Sequence, residues 1–299
     1  MNELTYNKNY ILKINDYIEK FLNYIDVSKN TIKTYSVGLK SFASYLIQNN
    51  IKNPNREDII NYRECIRVNL KPTTVNSYMI AIRTFYDWLE YENITKNIAK
   101  KIKGIKLEQK HLKRGLSKDE VTKVLSCCEN TRERLMLELM ITCGLRCNEV
   151  VNIQLKDIYN DKGIVMMLIQ GKARDGEKQD AVKIDDRIFE TMKEYIKEYN
   201  IDNYLFTSTS NHNNKGKLST MTVRRIINNL FIKAGLDREK LSPHSTRHTT
   251  CELALEMGVS LKETSEFMRH KSIQTTLIYS KEYEARNSKI ANELANIIF

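Results

Sequence analysis

Proline and glycine are scarce, three and ten among 299 residues, which argues against a turn-rich chain and for helices joined by short connections. Paired C-x-x-C spacing is missing from the six cysteines, Cys65, Cys127, Cys128, Cys143, Cys147 and Cys251. That excludes the usual zinc finger or ribbon. Cys143 and Cys147 sit four apart, but no nearby histidine or second cysteine pair completes a tetrahedral set. The six read as reduced thiols of a cytosolic protein. No apolar run approaches a membrane span, and the polar N-terminus has no signal core, so neither export nor membrane residence is expected. A P-loop and clustered carboxylates for magnesium are also absent, so neither a metal nor a nucleotide cofactor is expected.

What the chain has in excess is positive charge. Its formal net charge is +11, with a sequence pI of about 9.2. Such a balance points to a polyanionic partner, most often nucleic acid, although a merely basic surface has the same sum. Apolar residues make up 41% and charged residues 28%, the profile of a soluble globular protein. The length suggests two domains, each able to bury its own core.

The first hundred residues read as all-helical. Ile32, Tyr35, Leu39, Phe42 and Leu46 recur at three- and four-residue steps, and Val75, Tyr78, Ile82, Phe85 and Leu89 repeat the pattern. The small Gly38 and Ala81 occupy matching positions and would let two such helices approach closely. Away from the apolar faces lie Lys29, Lys33, Ser36 and Lys40 on one helix, and Asn76 and Arg83 on the other. A polar stripe is ordinarily a solvated face; the two together suggest phosphate contact. From Lys96 to Arg114 eight basic residues, Lys103 and Lys106 among them, face a single acid, Glu108. This run reads as a linker, and a basic linker can also follow a phosphate backbone. Ser117 and Glu120 then form a capping box that opens a second domain. Helices are expected through Cys143, a short β-rich passage at 164–169 and 181–184 around a polar turn, and helices again from Met221.

Three segments of this second half carry chemistry. In Gly144-Leu145-Arg146-Cys147-Asn148-Glu149, the glycine ends one helix and leaves Arg146 at the start of the next, with Glu149 in reach of its guanidinium. In Pro243-His244-Ser245-Thr246-Arg247-His248, His244 and Arg247 are three apart and share a helix face. In the third, Phe267-Met268-Arg269-His270 is followed nine residues after His270 by Tyr279. Alone, each is an ordinary occurrence: a structural Arg–Glu pair, a chance H-x-x-R, one tyrosine among sixteen.

Together, G-L-R-x-x-E, Gly171-Lys172 in a turn, H-x-x-R-H and H-x8-Y resemble the tyrosine recombinases, or phage integrases, in order and spacing over residues 112 to 285. The N-terminal helical half is similar to that family's core-binding, SAM-like domain. The resemblance implies a mainly α fold with a small β-sheet in the C-terminal domain (α+β), as a two-domain, C-shaped DNA clamp. Its parts would be a core-binding domain at 1–98, a basic linker at 99–114 and a catalytic domain at 115–299. No extra N-terminal arm-binding domain is expected. Where the family usually has Leu-Gly before its second histidine, this chain has Met268-Arg269. The turn Gly171-Lys172-Ala173-Arg174-Asp175-Gly176 also departs from the common basic version, so Arg174 and Lys178 stand as alternatives to Lys172.

The resemblance implies attack by the Tyr279 hydroxyl on a DNA phosphate, giving a 3′-phosphotyrosyl link and a free 5′-hydroxyl. Arg146 and Arg247 would hold the non-bridging oxygens, since fixed forked cations suit that charge. Tyrosine has an ordinary pKa near 10 and needs a base; His244 would be that base, and Lys172 would protonate the leaving oxygen. His270 would bond the phosphate, and Glu149 would support Arg146. DNA-contacting candidates are Lys33, Lys40, Asn76, Arg83, Lys103 and Lys106. Implied partners are a double-stranded DNA recombination site, further copies of the chain in a tetramer on two sites, and an accessory DNA-bending or directionality protein. Location would be the bacterial cytoplasm, at the nucleoid. Tyr283 is assigned to packing, and Ile290, Leu294 and Ile297 form an apolar stripe that would dock on a neighbouring protomer. Integration and excision of a mobile element is the expected role. Alternatives are Xer-type dimer resolution, a type IB topoisomerase and a non-catalytic DNA-binding regulator.

Overall fold

The computed structural model describes residues 10–106, 114–170, 178–208, 216–270, 272–277 and 290–298. The chain divides into two units, Met1–Lys110 and His111–Phe299. Among the described residues no helix is long and apolar enough to cross a membrane, and none of the six cysteines is in a disulfide.

Among the described residues the first unit has four helices: α1 (Tyr10–Tyr24), α2 (Lys29–Gln48), α3 (Arg56–Arg67) and α4 (Pro72–Tyr91). Ser28 caps α2, Asn55 and Asp58 form a capping box at α3, and Pro72 opens α4 where its missing N–H costs nothing. The two periodic stretches are α2 and α4, and their apolar faces meet over Leu39, Phe42, Leu46, Val75, Ile82, Phe85 and Leu89. Gly38 packs tightly against α4, for a Cβ there would lie 2.9 Å from the Tyr78 ring. Ile14, Ile18 and Phe21 bring α1 into the same core, with Phe21 edge-on to Phe85.

Residues 100–105 are bound to this unit through their backbone. Arg63 Nη1 donates to the Lys103 carbonyl (2.8 Å) and Arg83 Nη1 to that of Ile102 (2.8 Å). The Asn76 amide both donates to the Ile105 carbonyl (2.9 Å) and accepts from the Ile105 N–H (2.7 Å).

The second unit opens with α5 (Lys118–Ser126), capped by the Ser117–Glu120 box. Next comes α6 (Thr131–Thr142), whose Leu135, Met136, Leu137, Leu139, Met140 and Ile141 are all buried. With its second half, Leu135 to Ile141, apolar on most sides, this helix runs through the middle of the domain. Around it pack α8 (Asp186–Tyr199), α9 (Thr220–Lys233) and α10 (Pro243–Glu256). A short α7 (Cys147–Val150), α11 (Leu261–Phe267) and a terminal α12 (Ile290–Ile298) complete the helices among the described residues.

Three strands, β1 (Ile158–Asp161), β2 (Ile164–Gln170) and β3 (Lys178–Lys183), make one antiparallel sheet in the order β1-β2-β3. Ile158 pairs with Met167, and Leu168 with Ala181. Val165, Met167 and Ile169 alternate inward onto the core. β1 is a strand that the apolar runs did not reveal: it is four residues long and mostly exposed, and is joined to β2 by the tight Lys162-Gly163 turn.

Candidate active site

The buried α6 ends at Thr142, and the chain turns at Gly144 with φ +58°, a conformation that favours glycine. This turn delivers Arg146 to the start of α7. There the Arg146 N–H donates to Glu149 Oε2 (2.9 Å), and Arg146 Nη1 donates to Glu149 Oε1 (2.6 Å). Glu149 is buried, while the Arg146 side chain keeps 38% of its surface open. Burial alone would raise the Glu149 pKa, but the Arg146 amide and the Arg269 and Arg146 cations outweigh it and keep the carboxylate charged.

Helix α10 lies against α6, and its buried side chains are mostly polar: Ser245, Thr246, Arg247, His248, Thr249 and Thr250. Most of these have a local acceptor. Thr250 Oγ1 donates to the Ile141 carbonyl, Thr246 Oγ1 to that of Pro243, and Thr249 Oγ1 both donates to Ser245 and accepts from the Leu116 N–H. Arg247 is 2% exposed. Its guanidinium donates to the carbonyls of Gly144 and Met268. One side chain therefore ties the turn before Arg146 to the residues before His270.

His244 stands at the open N-terminal end of α10, one turn before His248, and the two rings meet edge-on with centroids 4.9 Å apart. Surrounding protein, then the Arg247 and Arg146 cations, hold the His244 pKa below the ordinary histidine value, although the residue is partly open to solvent. Burial, followed by His244, Arg247 and His270, pushes His248 down to about 4. His270 is also lowered to about 4, by burial first and then by Arg247, Arg146, His244 and Arg269. At neutral pH all three imidazoles are uncharged and able to accept a proton. His270 is oriented by a 2.8 Å hydrogen bond between its Nδ1 and Oγ1 of the fully buried Thr276.

Arg146, Glu149, His244, Arg247 and His270 are thus drawn from three separated segments into one electrostatically coupled cluster. Tyr279 and Lys172 lie outside the described residues, as do Arg174 and Tyr283. Thr276, on a helical turn at 274–277, is three residues before Tyr279. Among the described residues no group of three or more histidine, cysteine or acidic side chains is placed to hold a metal. The arrangement offers two guanidinium groups and neutral imidazoles, suited to binding an anion and moving a proton beside it.

Three residues of this cluster were not assigned roles on sequence grounds. His248 and Thr276 support His244 and His270, and the signal for both was their position inside the recognised segments. The third, Arg269, has φ +51°, a left-handed backbone that costs a non-glycine residue roughly 1–2 kcal/mol. Its side chain is 8% exposed, and its Nη2 donates to the carbonyls of Cys143 (3.1 Å) and Gly144 (3.2 Å) and to Glu149 Oε2 (3.3 Å). An arginine where the resembling family usually carries glycine was the available signal.

The six expected DNA contacts belong to the first unit. Lys33 and Lys40 are exposed on α2. Asn76, Arg83, Lys103 and Lys106, with Ile80, line one shallow groove beside α4. Within it the Asn76 amide and one Arg83 N–H are engaged with the backbone of 102–105.

Comparison with known proteins gives a consistent set of relatives. The phage integrase family model matches residues 114–286, and the phage integrase N-terminal SAM-like domain matches residues 14–93. Tyrosine recombinase XerA of Pyrococcus furiosus is 28% identical over 287 residues, covering 94% of each chain. Tyrosine recombinase XerD of Staphylococcus epidermidis is 30% identical over 284 residues, covering 89% of this chain and 94% of its own. Among solved structures, XerH in its post-cleavage complex with a palindromic difH substrate superposes with a TM-score of 0.77 at 21% identity, covering 97% of each chain. A lambda integrase dimer on a COC′ core site gives 0.71 at 17% identity, covering 89% of this chain and 76% of its own.

Proposed function

The chain belongs to the phage integrase family, as a tyrosine recombinase that cleaves and rejoins DNA, and from that membership we propose the roles of its residues. Tyr279 is the nucleophile: its oxygen bonds to the phosphorus as the bond to the 5′-oxygen breaks, leaving a 3′-phosphotyrosyl link. His244 takes the tyrosine proton, consistent with an imidazole kept neutral at physiological pH. Lys172 gives a proton to the departing 5′-oxygen. Arg146 and Arg247 offset the charge that gathers on the non-bridging oxygens, and His270, held by Thr276, donates to the same phosphate. Rejoining is the reverse, with a 5′-hydroxyl of a second strand as the attacking group. Energy is conserved in the covalent link, so no nucleotide is consumed.

The observation that carries this reading is the convergence of Arg146, His244, Arg247 and His270 through the Arg247 bonds to Gly144 and Met268. We take 1–98 as the core-binding domain, 99–114 as the linker and 115–299 as the catalytic domain. Double-stranded recombination sites are the substrate, and a tetramer on two sites is the working assembly. The groove lined by Arg83, Lys103 and Lys106 and the exposed Lys33 and Lys40 supply phosphate contacts.

We place the activity in integration and excision of a mobile element, on the Met268-Arg269 departure and the surrounding sequence. The names and matching lengths of the Xer relatives favour a second reading, resolution of chromosome or plasmid dimers. Nicked duplexes tiled across the ends of the DNA element carrying the gene, and across the rest of the chromosome, separate the two. Covalent trapping at the element's ends is the expected result. Trapping at one chromosomal site away from the gene would select dimer resolution instead.

A further inference from the structure

We propose that Arg269 is a positioning residue for DNA cleavage: it holds Glu149 and the Cys143 and Gly144 carbonyls, so that Arg146 is fixed in place without being neutralised. This rests on the reading of Arg146 as a phosphate-binding residue.

Glu149 is the only carboxylate bonded to Arg146 among the described residues, and an arginine paired one-to-one with a buried carboxylate presents little net charge to an incoming phosphate. Here the same carboxylate also receives Arg269. Two cations then share one anion, and one full positive charge remains over. Of the two guanidinium groups, Arg269 is buried and Arg146 is open, so the surplus faces solvent at Arg146.

The same Nη2 also grips the turn from which Arg146 is projected, at the Cys143 and Gly144 carbonyls. Arg247 donates to the same Gly144 carbonyl. The turn is thereby held by two buried arginines, and Arg146 inherits their rigidity. Arg269 Nη1 donates in turn to the Phe267 carbonyl (3.1 Å) at the end of α11, so the one guanidinium joins that helix end to the turn before α7.

The test compares Arg269→Met, Arg269→Lys and Arg269→Gly in the full chain. The probe is the nicked duplex, from the tiled set, that traps the most wild-type protein, with binding and single-turnover cleavage measured separately. Arg269→Met should bind the duplex as wild type does and cleave it about 10- to 100-fold more slowly, the usual size of effect for a residue supporting a reactive group. Arg269→Lys, which keeps the charge, should recover most of that loss. Arg269→Gly accepts the positive φ without strain and should fold even if Arg269→Met does not, with the same slow cleavage. In a Glu149→Gln background, Arg269→Met should cost less, because no carboxylate charge is left to offset. Wild-type cleavage by Arg269→Gly, or equal loss in the Met and Lys variants, would overturn the proposal. Wild-type cleavage by Arg146→Ala would instead overturn the reading on which it rests.

Discussion

Arg146 and Arg247 carry the same guanidinium at opposite exposures, 38% and 2%, and their substitutions should differ accordingly. Arg146→Ala should leave thermal stability near wild type while slowing cleavage by several powers of ten, on the order of 4 kcal/mol if it acts as an oxyanion donor does. Arg247→Ala also strands the Met268 carbonyl, leaves the Gly144 carbonyl to Arg269 alone, and should cost about 1–3 kcal/mol in denaturant unfolding. The histidines give a pH signature. His248 and His270, at about 4 in the folded chain against about 6.5 unfolded, bind fewer protons when folded. Their contribution is complete above pH 6.5 and is lost as the pH falls toward 4. The melting temperature should therefore drop between pH 7 and pH 5, above the ordinary carboxylate range, and less steeply in His248→Gln. The Arg146–Glu149 pair was legible from its spacing. Arg269 was legible only as an oddity, because a positive φ and a contact with residues 120 or more positions away leave no local trace.

At the scale of elements, apolar periodicity located α2 and α4, and the Ser117–Glu120 box located the start of α5. The Gly38 position, read as a point of close approach, is where the Tyr78 ring lies. Gly38→Val should push the ring aside and cost about 1–3 kcal/mol in unfolding of the first unit, as overpacking does; circular dichroism melts would show it. α1 was not resolved by the reading, although Ile14, Ile18 and Phe21 have helical spacing. β1 left no signal because most of it faces solvent, and an exposed two-residue hairpin needs few apolar positions. The bonds that tie 100–105 to the first unit pair side chains with backbone groups, and such pairings carry no sequence pattern.

At the scale of the whole molecule, a net charge of +11 predicts DNA binding that weakens steeply with salt through counterion release. Helix α12 has Leu294, Ile297 and Ile298 exposed, and we propose that a neighbouring protomer covers them. Deleting residues 287–299 should impair pairing of two sites more than binding of one; equal loss in gel-shift and synapsis assays would argue against the docking role. The central claim concerns Tyr279, and covalent trapping reaches it most directly. The protein would be mixed in EDTA with nicked duplexes tiled from the DNA flanking its own gene and resolved on a denaturing gel. The account predicts a shifted protein–DNA band that disappears in Tyr279→Phe while binding is retained; a band that survives in Tyr279→Phe would contradict it.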